Sequence, residues 1–140
     1  MRPRGAVNVV SLTLLAAAVS AGYLAWIYVP LLLDDLDVEV ALAAGAGQLT
    51  LEVSALDATG VQNLVAGRLA KVGTHWEDQE DGKRMEVPGL GVAPEDVQVE
   101  RAPDGKSGKV TLDYARTVKL KPLEQFWTIH FHTQRESTLR

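Results

Sequence analysis

The hydrophobic pattern of the chain changes abruptly near residue 33. Residues 5–33 form one apolar segment without a charged side chain, whereas apolar and polar positions are interleaved in the rest of the chain. About 20 apolar residues suffice for a helix to cross the hydrocarbon core of a bilayer. The pattern therefore predicts a transmembrane helix over 5–33, preceded by a short cytoplasmic tail, 1–4.

Beyond this segment the pattern predicts that the same helix leaves the membrane and continues. Apolar side chains recur at helical spacing at Leu33, Leu36, Val40 and Ala44. Gly45 and Gly47 are residues of the kind that end a helix. We therefore expect a helical extension over 34–47, followed by an extracytoplasmic domain over 48–140.

The pattern within 48–140 predicts one helix and several strands. Residues 48–53 give a weak strand signal, and residues 58–72 carry apolar side chains on one helical face. The acidic, polar stretch 74–88 and the residues just after it predict a surface loop with a short strand over 85–87.

Alternation in the last third predicts an antiparallel sheet. Strands are expected over 97–100, over 110–120 and around residues 127–131, with a hairpin loop at 103–108. Arg116 interrupts the apolar side of the long strand, which suggests an edge position or a bulge. The predicted fold class is α+β: a long N-terminal transmembrane helix, then one further helix packed on an antiparallel sheet of three to four strands.

Charge distribution predicts the orientation and excludes several functions. The chain has 14 basic and 18 acidic residues, but only Arg2 and Arg4 precede the apolar segment, and every acidic residue follows it. Basic residues favour the cytoplasmic side, so we expect the N-terminus inside and the domain in the periplasm, at the inner membrane. The acidic domain argues against nucleic-acid binding.

A cleaved signal peptide is the competing interpretation of the apolar segment. Small residues at 19–21 satisfy the rule for cleavage before Gly22, but cleavage there would leave a long apolar terminus in water. A helix buried inside a soluble core is a third interpretation. Retention as a membrane anchor agrees best with the length of the apolar segment.

Two sets of residues in the segment point to contacts within the membrane. Aromatic side chains near its C-terminal end are predicted membrane-interface anchors: Tyr23, Trp26 and Tyr28. Small residues at four-residue spacing let another helix approach closely and predict a helix-association face: Ala17, Ala18, Ala21 and Gly22. The alternative is that alanine is simply frequent in such spans.

The sequence offers little chemistry. It has no cysteine, which excludes disulfides and thiolate metal sites, and it carries no nucleophile motif. We therefore expect no enzyme and no cofactor. His130 and His132 share one face of a predicted strand and are the candidate metal ligands, although a solvent-facing pair is the default interpretation and no metal site is predicted.

Scattered positions resemble a known family. They are Tyr28-Val29-Pro30, residues 94–99, Asp104-Gly105, residues 110–114 and residues 127–132. The chain resembles the small proteobacterial inner-membrane proteins designated domain of unknown function 4845, although its stretch 74–88 departs from that pattern. The resemblance implies a single-span, non-enzymatic α+β module without catalytic residues.

A weaker architectural similarity is to type IV pilins, which have a long N-terminal helix with a small sheet on its second half. Counting from Ala6, the fifth residue is Val10, where a pilin has glutamate. Three hypotheses follow: an accessory or scaffold protein that binds another membrane protein or itself, a metal- or small-ligand-binding sensor domain, and a pilin-like subunit.

Overall fold

The computed structural model describes residues 8–50 and 56–138, which form two α-helices, a short 3-10 helix over Pro94–Asp96 and five strands. Helix α1 is Val9–Leu49 and helix α2 is Ala58–Leu69. The strands are β1 Thr74–Asp78, β2 Arg84–Pro88, β3 Val97–Arg101, β4 Ser107–Leu120 and β5 Gln125–Thr138. The predicted α+β fold class is confirmed.

Helix α1 runs without interruption from the apolar segment into the domain. The side chain of Asn8 accepts a hydrogen bond from the Val10 N–H at its start, and Pro30 lies within it. The helix ends at Leu49 rather than at Gly45 or Gly47 as predicted, because Gly45 serves close packing. A Cβ at Gly45 would lie 2.7 Å from a methyl group of Val65 on α2.

Strands β3, β4 and β5 form an antiparallel sheet with β4 in the centre. The β4–β5 hairpin pairs from Ser107 with Thr138 to Leu120 with Gln125. One face of this sheet packs on the C-terminal half of α1, and α2 covers α1 and β3. The hydrophobic core is built from α1, α2, this sheet and one residue of the loop between β2 and β3, Leu90: Val38, Ala41, Leu42, Ala46, Leu49, Val61, Val65, Leu69, Leu90, Val97, Val110, Leu112 and Tyr114.

The stretch 74–88 is a second, two-stranded sheet and not a loop. The short strand expected over 85–87 lies within β2, but β1 was not predicted because its polar side chains give no clear alternation. The strand predicted over 48–53 is also wrong at its start, because Gln48 and Leu49 are helical. Residues 51–53 of that prediction lie outside the described residues.

Arg116 does not form a bulge, but it does occupy an edge position, because β3 pairs with β4 only from Gly108 to Leu112 and β5 alone pairs with β4 at Arg116. It lies in regular register opposite Ile129. Its side chain faces α1, is 8% exposed, and forms an ion pair with Asp34. The polar residue on the apolar side of β4 therefore marks a buried contact between the sheet and α1.

Candidate functional site

The N-terminal half of α1 is an apolar surface that the domain does not cover. Leu14 is 66% exposed, Val19 64% and Trp26 83%, and Leu31 is the first buried residue of the helix. By length and composition α1 is able to cross a membrane, and its most apolar stretch has no buried residue. Such a surface is stable in hydrocarbon and unfavourable in water.

The predicted association face is exposed along this half of α1. All four of its residues are exposed: Ala17, Ala18, Ala21 and Gly22. A Cβ added at Gly22 would meet nothing within 4 Å. At about 100° per residue, this face points roughly 120° away from the side of α1 that contacts the domain. A second helix therefore has access to it alongside the domain.

The three predicted interface anchors separate into two groups. Tyr23 donates a hydrogen bond of 2.8 Å from its hydroxyl to the backbone carbonyl of Lys121, in the β4–β5 turn. Tyr28 contacts the Trp127 ring edge-on, with 5.8 Å between ring centroids. Trp26 stays largely exposed. Two of the three aromatic residues thus also hold the tip of the β4–β5 hairpin against α1.

Acidic residues at the start of the domain-facing half of α1 fix the helix to the sheet. The Arg116 Nη1 donates to Asp34 at 2.7 Å, and the Tyr114 hydroxyl donates to Asp35 at 2.6 Å. Thr133 also donates to Asp35. Burial, followed by the hydrogen bond to Asp35, raises the pKa of the Tyr114 hydroxyl far above its ordinary value. The ion pair and these hydrogen bonds fix the orientation of α1 relative to the sheet.

The histidines predicted as metal ligands lie on the opposite, outer face of the sheet. His132 contacts the Asp113 carboxylate on the neighbouring strand, a partner that the sequence did not identify. His130 is exposed beside it. Within residues 8–50 and 56–138 no group of three or more His, Cys, Asp or Glu side chains is placed to hold a metal ion. The pair is a surface feature of β5.

The third histidine links the two-stranded sheet to the loop that follows it. The Nδ1 of His75 lies 2.7 Å from the Gly89 carbonyl, and its Nε2 lies 2.8 Å from the Glu77 carboxylate. These acceptors, the Gly89 carbonyl first, raise the pKa of His75 above 6.5. The arrangement favours the imidazolium, which donates from both ring nitrogens.

Sequence reasoning missed a groove of about 470 Å³ at the end of the domain nearest the exposed half of α1, here called the base groove. Side chains of α1, β1, β2 and β4 and a residue of the β4–β5 turn line it. From α1 come Tyr23, Trp26, Ile27, Pro30, Leu31 and Asp34; from the rest come Gly73, Thr74, Trp76, Glu86, Arg116, Thr117, Val118, Lys119 and Lys121. Aromatic and basic side chains thus lie close together where the exposed half of α1 enters the domain.

The base groove could not be predicted from the sequence because it is formed by long-range contacts. The Trp76 ring packs edge-on against Phe126, with 5.3 Å between centroids, and the Arg84 guanidinium lies 4.7 Å from the centre of the same ring. These contacts attach the β1–β2 sheet to the tip of the β4–β5 hairpin. The sequence pattern over 74–88 predicted a loop and gave no indication that this stretch contacts the β4–β5 hairpin.

Fold and surface define a class: an α+β domain built around the second half of a long helix whose first half is an exposed apolar rod. No family model, no curated protein and no solved structure matches the chain.

Proposed function

We propose that the chain is a single-pass, membrane-anchored accessory or scaffold protein of the bacterial envelope that acts through protein–protein contacts. One observation carries the proposal: an exposed apolar half of α1 continues, without a break, into the half that forms the core of the domain. A cleaved signal peptide is not expected to form one continuous helix with the core of the domain that follows it. The envelope placement rests on the resemblance to the single-span family.

The orientation follows from the charges at the two ends of the apolar segment. Arg2 and Arg4 precede it, and Asp34, Asp35 and Asp37 follow it, which favours a cytoplasmic N-terminus and a periplasmic domain. The association face then lies within the bilayer and is the contact surface for another helix, either of a different membrane protein or of a second copy.

Gly22→Leu tests this contact at an exposed position of α1, where an added Cβ meets nothing within 4 Å. Ala16→Leu is the matched control, since at about 100° per residue it lies on the opposite side of the same helix. Each variant is expressed as the full chain, solubilised in mild detergent and examined for co-purifying partners and for oligomer size.

We expect Gly22→Leu to lose a stoichiometric partner or the oligomer, and Ala16→Leu to keep it. Equal behaviour of both variants would remove the association face from the proposal. Release of the intact chain from membranes by alkaline carbonate would overturn the anchor itself.

A pilin-like subunit is the second candidate, favoured by the 41-residue helix with a sheet on its C-terminal half. Such a subunit polymerises through the helix after its leader is removed. N-terminal sequencing of the mature protein distinguishes the two: a terminus at Ala6 supports the pilin-like subunit, and an intact terminus supports the anchor.

A further inference from the structure

The base groove lies at the level of the membrane surface, given the anchor proposed above. A helix rising 1.5 Å per residue needs about 20 residues to cross the hydrocarbon core. A span that starts between Gly5 and Val9 therefore ends between Leu24 and Tyr28. Tyr23 is bonded to the backbone of Lys121, so the β4–β5 turn sits beside the last turns of the span, among the lipid headgroups.

One wall of the base groove continues the lipid-facing surface of α1. Trp26 and Ile27 line the groove and belong to the exposed apolar half of the helix, and Trp76 lines it from β1. An acyl chain that lies along α1 can therefore follow one uninterrupted apolar surface from the bilayer into the groove. Aromatic side chains of this kind are enriched at the level of the headgroups.

The other lining residues supply positive charge and an unused donor. Arg116, Lys119 and Lys121 line the groove. Among the described residues, the buried Nε–H of Arg116 has no hydrogen-bond acceptor, and a buried donor without an acceptor is unfavourable.

The acidic lining residues are already bonded. Asp34 pairs with Arg116, and Glu86 accepts a hydrogen bond from Thr74. Glu124, outside the lining, lies 3.9 Å from the Lys119 ammonium and is exposed to solvent. Three basic side chains against two acidic ones leave the lining with a net formal charge of +1.

We propose that the base groove binds an anionic phospholipid of the periplasmic leaflet. Its phosphate lies among Lys119, Lys121 and Arg116, and one acyl chain runs down α1 along Trp26 and Ile27. Phosphate oxygens are the acceptors that Arg and Lys side chains bind best, and basic residues near a membrane surface attract anionic lipids. The domain is then docked on the leaflet and not merely tethered to it.

The full chain, purified in a zwitterionic detergent, allows a direct measurement. Trp26 and Trp76 line the groove, and Trp127 contacts Tyr28 nearby, so all three tryptophans of the chain report on this region. The protein is titrated with phosphatidylglycerol that carries a brominated acyl chain, which quenches tryptophan fluorescence on contact. Phosphatidylcholine with the same chain and inorganic phosphate are titrated in parallel.

The test variant is Lys119→Gln with Lys121→Gln, and its matched control is Lys106→Gln with Lys109→Gln, at the far end of the same hairpin. We expect saturable quenching by phosphatidylglycerol, weak quenching by phosphatidylcholine and no competition by phosphate. The test variant should bind roughly 25-fold more weakly, since each basic residue near an anionic surface is worth about fivefold. The control should bind like the natural sequence.

Four outcomes overturn the lipid site: no preference for phosphatidylglycerol, equal loss in both variants, full competition by inorganic phosphate, or loss of a protein partner in the test variant without loss of lipid quenching. The anchor is judged separately. A chain that fails these tests yet resists alkaline carbonate extraction keeps its membrane span, whereas a chain that is extracted loses both.

Discussion

The pair formed by Asp34 and Arg116 is the most consequential side-chain contact between α1 and the sheet. The two partners are unequally buried: the Arg116 side chain is 8% exposed and that of Asp34 is 25% exposed. Removing one member of a buried pair costs mainly because the other charge stays buried. The more exposed Asp34 can recover water, whereas Arg116 cannot.

Asp34→Ala should therefore destabilise the fold more than Arg116→Met. We expect a loss of about 3 kcal/mol in the free energy of unfolding for Asp34→Ala and about 1 kcal/mol for Arg116→Met, whose apolar chain keeps most of the packing. Chemical denaturation of the full chain in micelles measures both. Lys83→Ala, which breaks the exposed pair with Asp81, serves as the control and should change little. Equal losses from the two buried partners would contradict this account.

His75 should make the stability of the fold depend on pH near neutrality. Its folded-state pKa is raised above the unfolded value of 6.5, so its contribution is complete below 6.5 and is lost as pH rises through the folded-state pKa. We expect the natural chain to be less stable at pH 8 than at pH 6, and His75→Gln to flatten this difference. Glu77→Gln should lower the pKa of His75, as followed by NMR titration of the imidazole. An unchanged pKa in Glu77→Gln would show that Glu77 does not act on the ring.

At the scale of elements, the crossing of α1 and α2 depends on one of two neighbouring glycines. A Cβ at Gly45 would lie 2.7 Å from Val65, which is fully buried and cannot move aside, whereas a Cβ at Gly47 meets nothing within 4 Å. The two positions share one helix and the same intrinsic gain from alanine, about 1 kcal/mol.

Gly45→Ala and Gly47→Ala should therefore shift stability in opposite directions. We expect Gly45→Ala to lose about 1 kcal/mol net, since overpacking costs about 1–3 kcal/mol. Gly47→Ala should gain up to about 1 kcal/mol. Thermal unfolding followed by circular dichroism measures the pair, and a gain at both positions would show that the helices separate without cost.

The elements that the sequence predicted are those with one buried face. Residues of β4 alternate between core and solvent, and α2 carries its apolar side chains toward α1, so periodicity reports their environment directly. Strand β1 could not be found this way, because its side chains are half-buried or exposed without alternation. Its place is set by contacts such as Trp76 with Phe126, fifty residues apart.

Long-range partners explain the other errors. Arg116 suggested an edge position or a bulge, of which only the bulge is wrong. Its ion pair could not be predicted, because Asp34 lies 82 residues earlier in the chain. Gly45 suggested a helix end. It instead allows close contact with Val65, and that contact is equally non-local. The base groove could not be predicted for the same reason, since it forms only where α1, both sheets and the β4–β5 turn come together.

At the scale of the molecule, the two halves of α1 differ in their surroundings. Its first half is an exposed apolar rod, and its second half supplies core residues such as Val38, Leu42 and Leu49. In the proposed membrane-anchored state, a change in the tilt of the helix would therefore move the whole domain. This coupling has a simple consequence for fragments of the chain.

A fragment 31–140 should fold in water, whereas a fragment 50–140 should not. The longer fragment keeps every core residue of α1 and both members of the Asp34–Arg116 pair. The shorter one leaves the apolar face of β4, with Val110 and Leu112, exposed to water at a cost of about 25 cal/mol per Å². Near-ultraviolet circular dichroism and the dispersion of amide NMR signals measure folding of each. A cooperatively folded 50–140 would show that the domain is independent of the helix and would contradict this account.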